Sequence, residues 1–158
     1  MILISLDIDG TLEAGDPPGP VPLEFARRVG ELGALVGSSS DRTIADQRDF
    51  WREAGVRVKF TVLKQHLADL PGRHPCDRYL HVGDSMMDEY YATEAGFDFW
   101  NARSLARDAA ARGLVATGVT GYLLRSLADG EGVAGRRGNR MPETLDFMTS
   151  TRNCSILG

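Results

Sequence analysis

The feature that most constrains the fold is the regular alternation of short apolar segments with segments of helical periodicity. "MILISLDI" is a continuous apolar run of strand length, as expected for a strand covered on both faces. "PLEFARRVGELG" follows, with apolar residues at helical spacing between an initial proline and a final glycine. Further strands are predicted at "ALVGSSS", "VRVKFTVL", "YLHVGD" and "FDFWNA", with helical segments after them. This alternation predicts an α/β fold with a mostly parallel five-stranded sheet and right-handed crossovers.

Composition favours one compact domain. The chain has 158 residues, of which 42% are hydrophobic, enough for a substantial core. Helical periodicity is lost after residue 130, so residues 1–130 are predicted as the core domain. Residues 131–158 are predicted as a C-terminal extension, loosely held or with a short helix at 142–149.

Charge and targeting signals narrow the classes of partner. The net charge of -4 argues against non-specific binding to nucleic acid or to an anionic membrane surface. No apolar run approaches the length of a membrane span, and the first residues lack the pattern of a signal peptide. The two cysteines are too few for a disulfide scaffold. The sequence therefore predicts a cytoplasmic protein.

Polar clusters follow three of the predicted strands at the point where each strand ends. They are "DIDGT", "SSSD" and "GDSMMD", and a lysine follows the third predicted strand. The carboxyl ends of parallel strands meet at one edge of the sheet, where ligands bind. The residues expected to meet there are Asp7, Asp9, Ser38, Lys64, Asp84 and Asp88.

Four carboxylates in one place repel one another. At about 4 Å each pair costs roughly 4 kcal/mol at an effective dielectric constant near 20. A hard divalent cation removes this cost, and oxygen ligands without His or Cys indicate Mg²⁺. A cation beside a lysine and hydroxyl groups makes a phosphate site, where a carboxylate can attack phosphorus.

The ordered set "DIDGTL", serine at the end of the second strand, lysine, and "GDSMMD" resembles the four-motif signature of the haloacid dehalogenase superfamily. The resemblance covers roughly residues 1–102. It implies a Rossmann-like three-layer α/β/α sandwich and Mg²⁺-dependent phosphoryl transfer.

The resemblance also implies roles for the residues that match the motifs. Asp7 would be the nucleophile, and Asp9 the general acid and base. Ser38 would hydrogen-bond the phosphoryl group, with Ser39 as the substitute. Lys64 would neutralise the charge of the phosphoryl group and of Asp7.

The metal site implied by the resemblance is formed by aspartates. Asp84 would bind Mg²⁺ together with Asp7 and the carbonyl of Asp9. Asp88 would either bind the metal or support its ligands and orient the lysine, and the sequence leaves both open. The other lysine, Lys59, alternates within a strand and is expected at the surface.

The predicted loops leave no room for a cap domain. Only about thirty residues separate Asp7 from Ser38, which is enough for a flap and one helix. An open site is suited to a large phosphorylated substrate or to a homo-oligomer in which a partner subunit closes it. The flap "LEAGDPPGPVP" is the candidate for substrate contacts.

The resulting prediction is a Mg²⁺-dependent phosphatase that hydrolyses a phosphomonoester through an aspartyl phosphate. Its substrate can be a small molecule or a macromolecule. The alternative is a non-catalytic binding or regulatory domain with the same fold. Dehalogenation is disfavoured because that reaction has no use for the acid and base Asp9.

Overall fold

A five-stranded sheet forms the centre of the molecule in a computed structural model that describes residues 1–130. The strands are β1 (Ile2–Leu6), β2 (Leu35–Ser40), β3 (Phe60–Leu63), β4 (Arg78–Gly83) and β5 (Asp98–Asn101). Their order is β3-β2-β1-β4-β5, and every neighbouring pair is parallel. The predicted α/β class is confirmed, and the sheet is parallel throughout. The predicted extension at 131–158 lies outside the described residues.

Helices cover both faces of the sheet. They are α1 (Leu23–Glu31), α2 (Ile44–Ala54), α3 (Leu70–Arg73), α4 (Met86–Ala95), α5 (Ala102–Ala111) and α6 (Ala116–Asp129), and a 3-10 helix (Lys64–Asp69) precedes α3. One layer contains α1, α2, α5 and α6, and the other contains the 3-10 helix, α3 and α4. The arrangement is the predicted three-layer sandwich.

The two layers bury alternate residues of the central strand. In β1, Ile4 and Leu6 belong to the larger apolar cluster, which includes Phe25 of α1 and Trp51 of α2. Leu3 belongs to the second cluster, beneath the 3-10 helix, α3 and α4. Full burial of each large side chain contributes about 1.5–3 kcal/mol, so both faces hold the sheet in place.

The direction in which the chain crosses the sheet reverses at β1. The chain moves outward from β1 through β2 to β3, and then returns to pair β4 with the other side of β1. Such a reversal is where α/β sheets bind ligands. Within the described residues, the connections that follow β1 and β2 contain a loop with α1 and the single helix α2. Neither connection contains an inserted cap domain.

Among residues 1–130, no helix combines the length and the apolar character needed to cross a bilayer.

Candidate active site

Asp7 lies at the carboxyl end of the central strand and is almost fully buried. Its backbone N–H donates to the carbonyl of Val82 at 2.9 Å, which extends the pairing of β1 with β4 by one residue. Burial, followed by the negative charge of Asp88, raises the pKa of Asp7 to about 7, although Lys64 opposes the rise. A buried carboxyl with this pKa lacks sufficient positive charge in its surroundings.

Asp9 is partly exposed and is held by Arg42. The guanidinium of Arg42 donates from Nε at 2.9 Å and from Nη2 at 2.5 Å, and the backbone N–H of Asp16 in the flap donates at 2.8 Å. The hydrogen bond from Arg42 keeps the pKa of Asp9 below its ordinary value. Asp9 is therefore ionised at neutral pH in the free protein.

The tight turn after Asp9 requires glycine. Gly10 has a φ of 72°, and a Cβ atom there would lie 2.3 Å from Oδ2 of Asp84. The turn thereby allows the first motif to approach Asp84 at the end of β4.

Lys64 begins the 3-10 helix directly after β3, and its side chain is buried among three carboxylates. Its Nζ atom lies 2.8 Å from Asp88, 3.1 Å from Asp41 and 3.6 Å from Asp7. Burial opposes the charge of Lys64, but the hydrogen bond to Asp88 and the charge of Asp7 outweigh it and raise its pKa. Lys64 is thus a fixed cation beside Asp7.

Asp88 is completely buried at the start of α4. Ser85 caps the helix, and Asp88 accepts hydrogen bonds from the Ser85 N–H at 3.0 Å and from its hydroxyl at 2.6 Å. Its other oxygen contacts Lys64 and also Nε2 of His81 at 3.3 Å. Burial alone would raise the pKa of Asp88, but the hydrogen bonds from His81, Lys64 and Ser85 lower it.

Asp84, the first aspartate of the "GDSMMD" motif, is more accessible than Asp88, the last. Its Oδ2 atom lies 3.5 Å from Nη2 of Arg103, an exposed side chain at the start of α5. One oxygen of Asp84 and one each of Asp7 and Asp88 lie within 4.8 Å of one another. This all-oxygen set fits a hard divalent cation such as Mg²⁺. The raised pKa of Asp7 fits as well, because a cation would supply the missing positive charge.

The two candidate serines lie on opposite faces of the sheet. Ser38 faces α2, where its hydroxyl donates to Gln47 at 2.6 Å and accepts from Nε1 of Trp51 at 2.9 Å. Ser39, one residue later, faces the layer that contains Asp7 and Lys64. Its hydroxyl is buried and has no hydrogen-bond partner among residues 1–130. Ser38 is therefore engaged by two residues of α2, whereas the Ser39 hydroxyl, on the other face of β2, has no such contact among residues 1–130.

Three polar residues at the site lie outside the sequence motifs: Arg42, His81 and Arg103. Arg42 follows the second motif directly, in "SSSDR", and this position could have indicated that it lies at the site. His81 lies within an apolar strand, where an isolated histidine is usually interpreted as part of the core. Arg103 reaches Asp84 only through the placement of α5 after β5.

Comparison with solved structures identifies the fold. The D,D-heptose 1,7-bisphosphate phosphatase from B. bronchiseptica, solved with magnesium and phosphate, matches with a TM-score of 0.55 and 19% sequence identity. The match covers 80% of this chain and 99% of that one. This chain shares the fold of that phosphatase. No family model matches the sequence, and no curated protein matches it either.

The shared fold agrees with the family resemblance of the sequence motifs. At this level of identity the comparison concerns the fold, so the roles of individual residues depend on the geometry of the site.

Proposed function

We propose that this protein is a Mg²⁺-dependent phosphatase of the haloacid dehalogenase superfamily that hydrolyses a phosphomonoester through an aspartyl phosphate on Asp7. The observation that carries the proposal is the meeting of Asp7, Lys64 and Asp84 at the carboxyl end of the central strand. Sequence-distant residues of the types needed for phosphoryl transfer lie together there.

Asp7 and Asp84 are the side chains proposed to hold Mg²⁺, with the carbonyl of Asp9 as the ligand that the family resemblance adds. Both oxygens of Asp88 already accept hydrogen bonds from protein groups. We therefore assign Asp88 to the support of Lys64 rather than to the metal. When bound, the cation neutralises charge on the phosphoryl oxygens.

The chemistry of the side chains follows from their positions. Asp7 attacks phosphorus, so that a carboxylate oxygen–phosphorus bond forms while the bond to the leaving oxygen breaks. Lys64 stabilises the charge on the phosphoryl group, and the Ser39 hydroxyl donates a hydrogen bond to it. Once it has separated from Arg42 and taken up a proton from solvent, Asp9 gives that proton to the leaving oxygen. It then takes a proton from the water that attacks phosphorus, and the bond between phosphorus and Asp7 breaks to release phosphate.

The proposed substrate is a phosphorylated molecule that enters beside the flap. The structural neighbour acts, by its name, on a sugar bisphosphate. A phosphorylated small molecule is accordingly the first class to test here. Closure of the open site by a second copy of the chain remains a prediction from the sequence.

The ion pair between Arg42 and Asp9 is the observation that favours the alternative, a non-catalytic binding domain. Asp9 must leave Arg42 to carry a proton, and in a binding domain the pair would simply be structural. The two functions differ in whether the protein turns over substrate.

A phosphate-ester panel tests the proposal. With Mg²⁺, the wild-type protein should release phosphate from p-nitrophenyl phosphate and from at least one sugar phosphate, and EDTA should stop the reaction. Asp7→Asn should be inactive yet folded by circular dichroism. Beryllium trifluoride should bind the wild type only with Mg²⁺ and should not bind Asp7→Asn. A wild type without Mg²⁺-dependent turnover on the panel, and without beryllium trifluoride binding, would refute the phosphatase.

A further inference from the structure

His81 is a fully buried imidazole whose two nitrogens both contact polar groups. Its Nε2 atom lies 3.3 Å from Oδ1 of Asp88, and its Nδ1 atom lies 3.2 Å from the hydroxyl of Ser5. The ring stacks on Phe99, with the ring centroids 6.1 Å apart. A carboxylate only accepts hydrogen bonds, so Nε2 carries the proton toward Asp88. The ring is therefore fixed in position and in orientation.

The oxygen of Asp88 that His81 contacts is the one that binds Lys64. Oδ1 of Asp88 lies 2.8 Å from Nζ of Lys64, which lies 3.6 Å from Asp7. The contacts form a buried series from Ser5 through His81, Asp88 and Lys64 to Asp7.

Lys64 also contacts a second, exposed carboxylate. Asp41 binds the same ammonium at 3.1 Å, and the Asp41 side chain is 83% exposed. Asp88 is completely buried and attracts the ammonium inward. The position of Lys64 thus depends on how firmly Asp88 is held. If the carboxylate of Asp88 rotates, the oxygen that binds the Lys64 ammonium moves, and the ammonium moves with it.

We infer that His81 is a positioning residue, which holds the Lys64 ammonium against Asp7 by fixing the carboxylate of Asp88. The effect of His81 on turnover rests on the proposed phosphatase function. The effect of His81 on the position of Lys64 does not, so the two effects can be tested separately.

The chain contains only two lysines, which allows a direct measurement of Lys64. Brief acetylation of the folded protein, followed by mass spectrometry, gives the reactivity of buried Lys64 relative to exposed Lys59. Lys59 serves as the internal standard in every variant. The measurement needs neither substrate nor metal.

Three substitutions of His81 separate its contacts. His81→Gln places an amide N–H near the position of Nε2 and keeps the bond to Asp88. His81→Asn keeps only the side facing Ser5, and His81→Leu removes both. We expect a several-fold rise in the Lys64-to-Lys59 ratio for His81→Asn and His81→Leu, and a ratio near wild type for His81→Gln.

Trp51→Phe is the matched control on the opposite face of the sheet. It removes a buried hydrogen bond of similar length, from Nε1 to Ser38, without touching Asp88. It should lower the melting temperature and leave the lysine ratio unchanged. His81→Asn provides the test should His81→Leu fail to fold.

Turnover gives the second measurement. Removal of the His81–Asp88 bond should lower kcat by about 10–100-fold, the usual effect of groups that orient site residues, with little change in KM. Folded His81→Asn and His81→Leu proteins with a wild-type lysine ratio would overturn the inference. An inactive wild type would instead refute the phosphatase and leave the lysine result valid.

Discussion

Arg42 holds Asp9 through both carboxylate oxygens, with Nε 2.9 Å from Oδ2 and Nη2 2.5 Å from Oδ1. The guanidinium also lies over the ring of Phe50, 5.4 Å from its centroid. Such a bidentate pair is stronger and more directional than a single charge contact. For Asp9 to carry a proton in catalysis, this pair has to open, and the leaving group or the phosphoryl group of the substrate can compete for Arg42.

Removal of the guanidinium should change the ionisation of Asp9. In Arg42→Met, we expect the pKa of Asp9 to rise toward its ordinary value, because its hydrogen bond and its opposite charge are both lost. The free energy of unfolding should fall by no more than about 1 kcal/mol, since the pair is partly exposed. Carbon-13 NMR titration of the aspartate carboxyls measures the first effect and calorimetry the second. Arg28→Met is the control, because in the described part of the chain Arg28 pairs only with Glu31, on the surface of α1. An unchanged Asp9 titration in Arg42→Met would contradict the expectation.

The two serines should respond to alanine in opposite ways. Ser39→Ala removes a hydroxyl that has no partner within residues 1–130, so stability should hardly change, while kcat/KM should fall about tenfold through loss of one phosphate hydrogen bond. Ser38→Ala leaves Nε1 of Trp51 without its acceptor, so unfolding should become easier by about 1–3 kcal/mol. The kinetics of the folded Ser38→Ala protein should stay close to wild type. The reverse pattern would restore Ser38 as the phosphate ligand.

Without metal, the stability of the protein should fall as the pH rises through the neutral range. The pKa of Asp7 is about 7 in the folded protein and about 3.9 in an unfolded chain, so the folded state binds this proton more tightly. The stabilisation is complete below about pH 4 and is lost as the pH rises toward 7. Asp9 and Asp88 have lowered pKa values, so they act in the opposite sense, and only in the acid range.

Calorimetry in EDTA between pH 5 and pH 7.5 tests this dependence. The melting temperature of the wild type should fall with pH relative to Asp7→Asn, which lacks the titrating group. Mg²⁺ should stabilise the wild type more at pH 7.5 than at pH 5, because it binds the ionised carboxylates. Parallel curves for the two proteins would show that Asp7 does not titrate in this interval.

Much of the fold and of the site could be predicted because the signals are local. Continuous apolar runs and helical periodicity gave the alternation of strands and helices, and parallel strands necessarily bring their carboxyl ends together. Asp7, Asp84 and Lys64 each follow a strand directly, so the topology alone places them at one edge.

The choice between the two serines could not be predicted, because it depends on register. Leu35 and Val36 are both apolar, and three serines follow them, so the pattern of β2 does not say which residues face which layer. The pairing of Leu6 with Ser38 decides this, and a shift of one residue would exchange the faces. The Arg42–Asp9 pair escaped prediction for a related reason, since it joins loops 33 residues apart.

Gly83, the first residue of the last motif, should be required for the geometry of Asp88. A Cβ atom at Gly83 would lie 2.4 Å from Cβ and Cγ of Asp88, closer than real contacts allow. Gly83→Ala should therefore displace Asp88, weaken its bonds to Lys64, and lower both kcat and the free energy of unfolding, the latter by about 1–3 kcal/mol.

Gly72→Ala is the matched control, because a Cβ atom there meets nothing within 4 Å. Kinetics and thermal unfolding of the two variants provide the measurement. Equal behaviour of the two would show that Asp88 can shift without cost, and its proposed support of Lys64 would then be wrong.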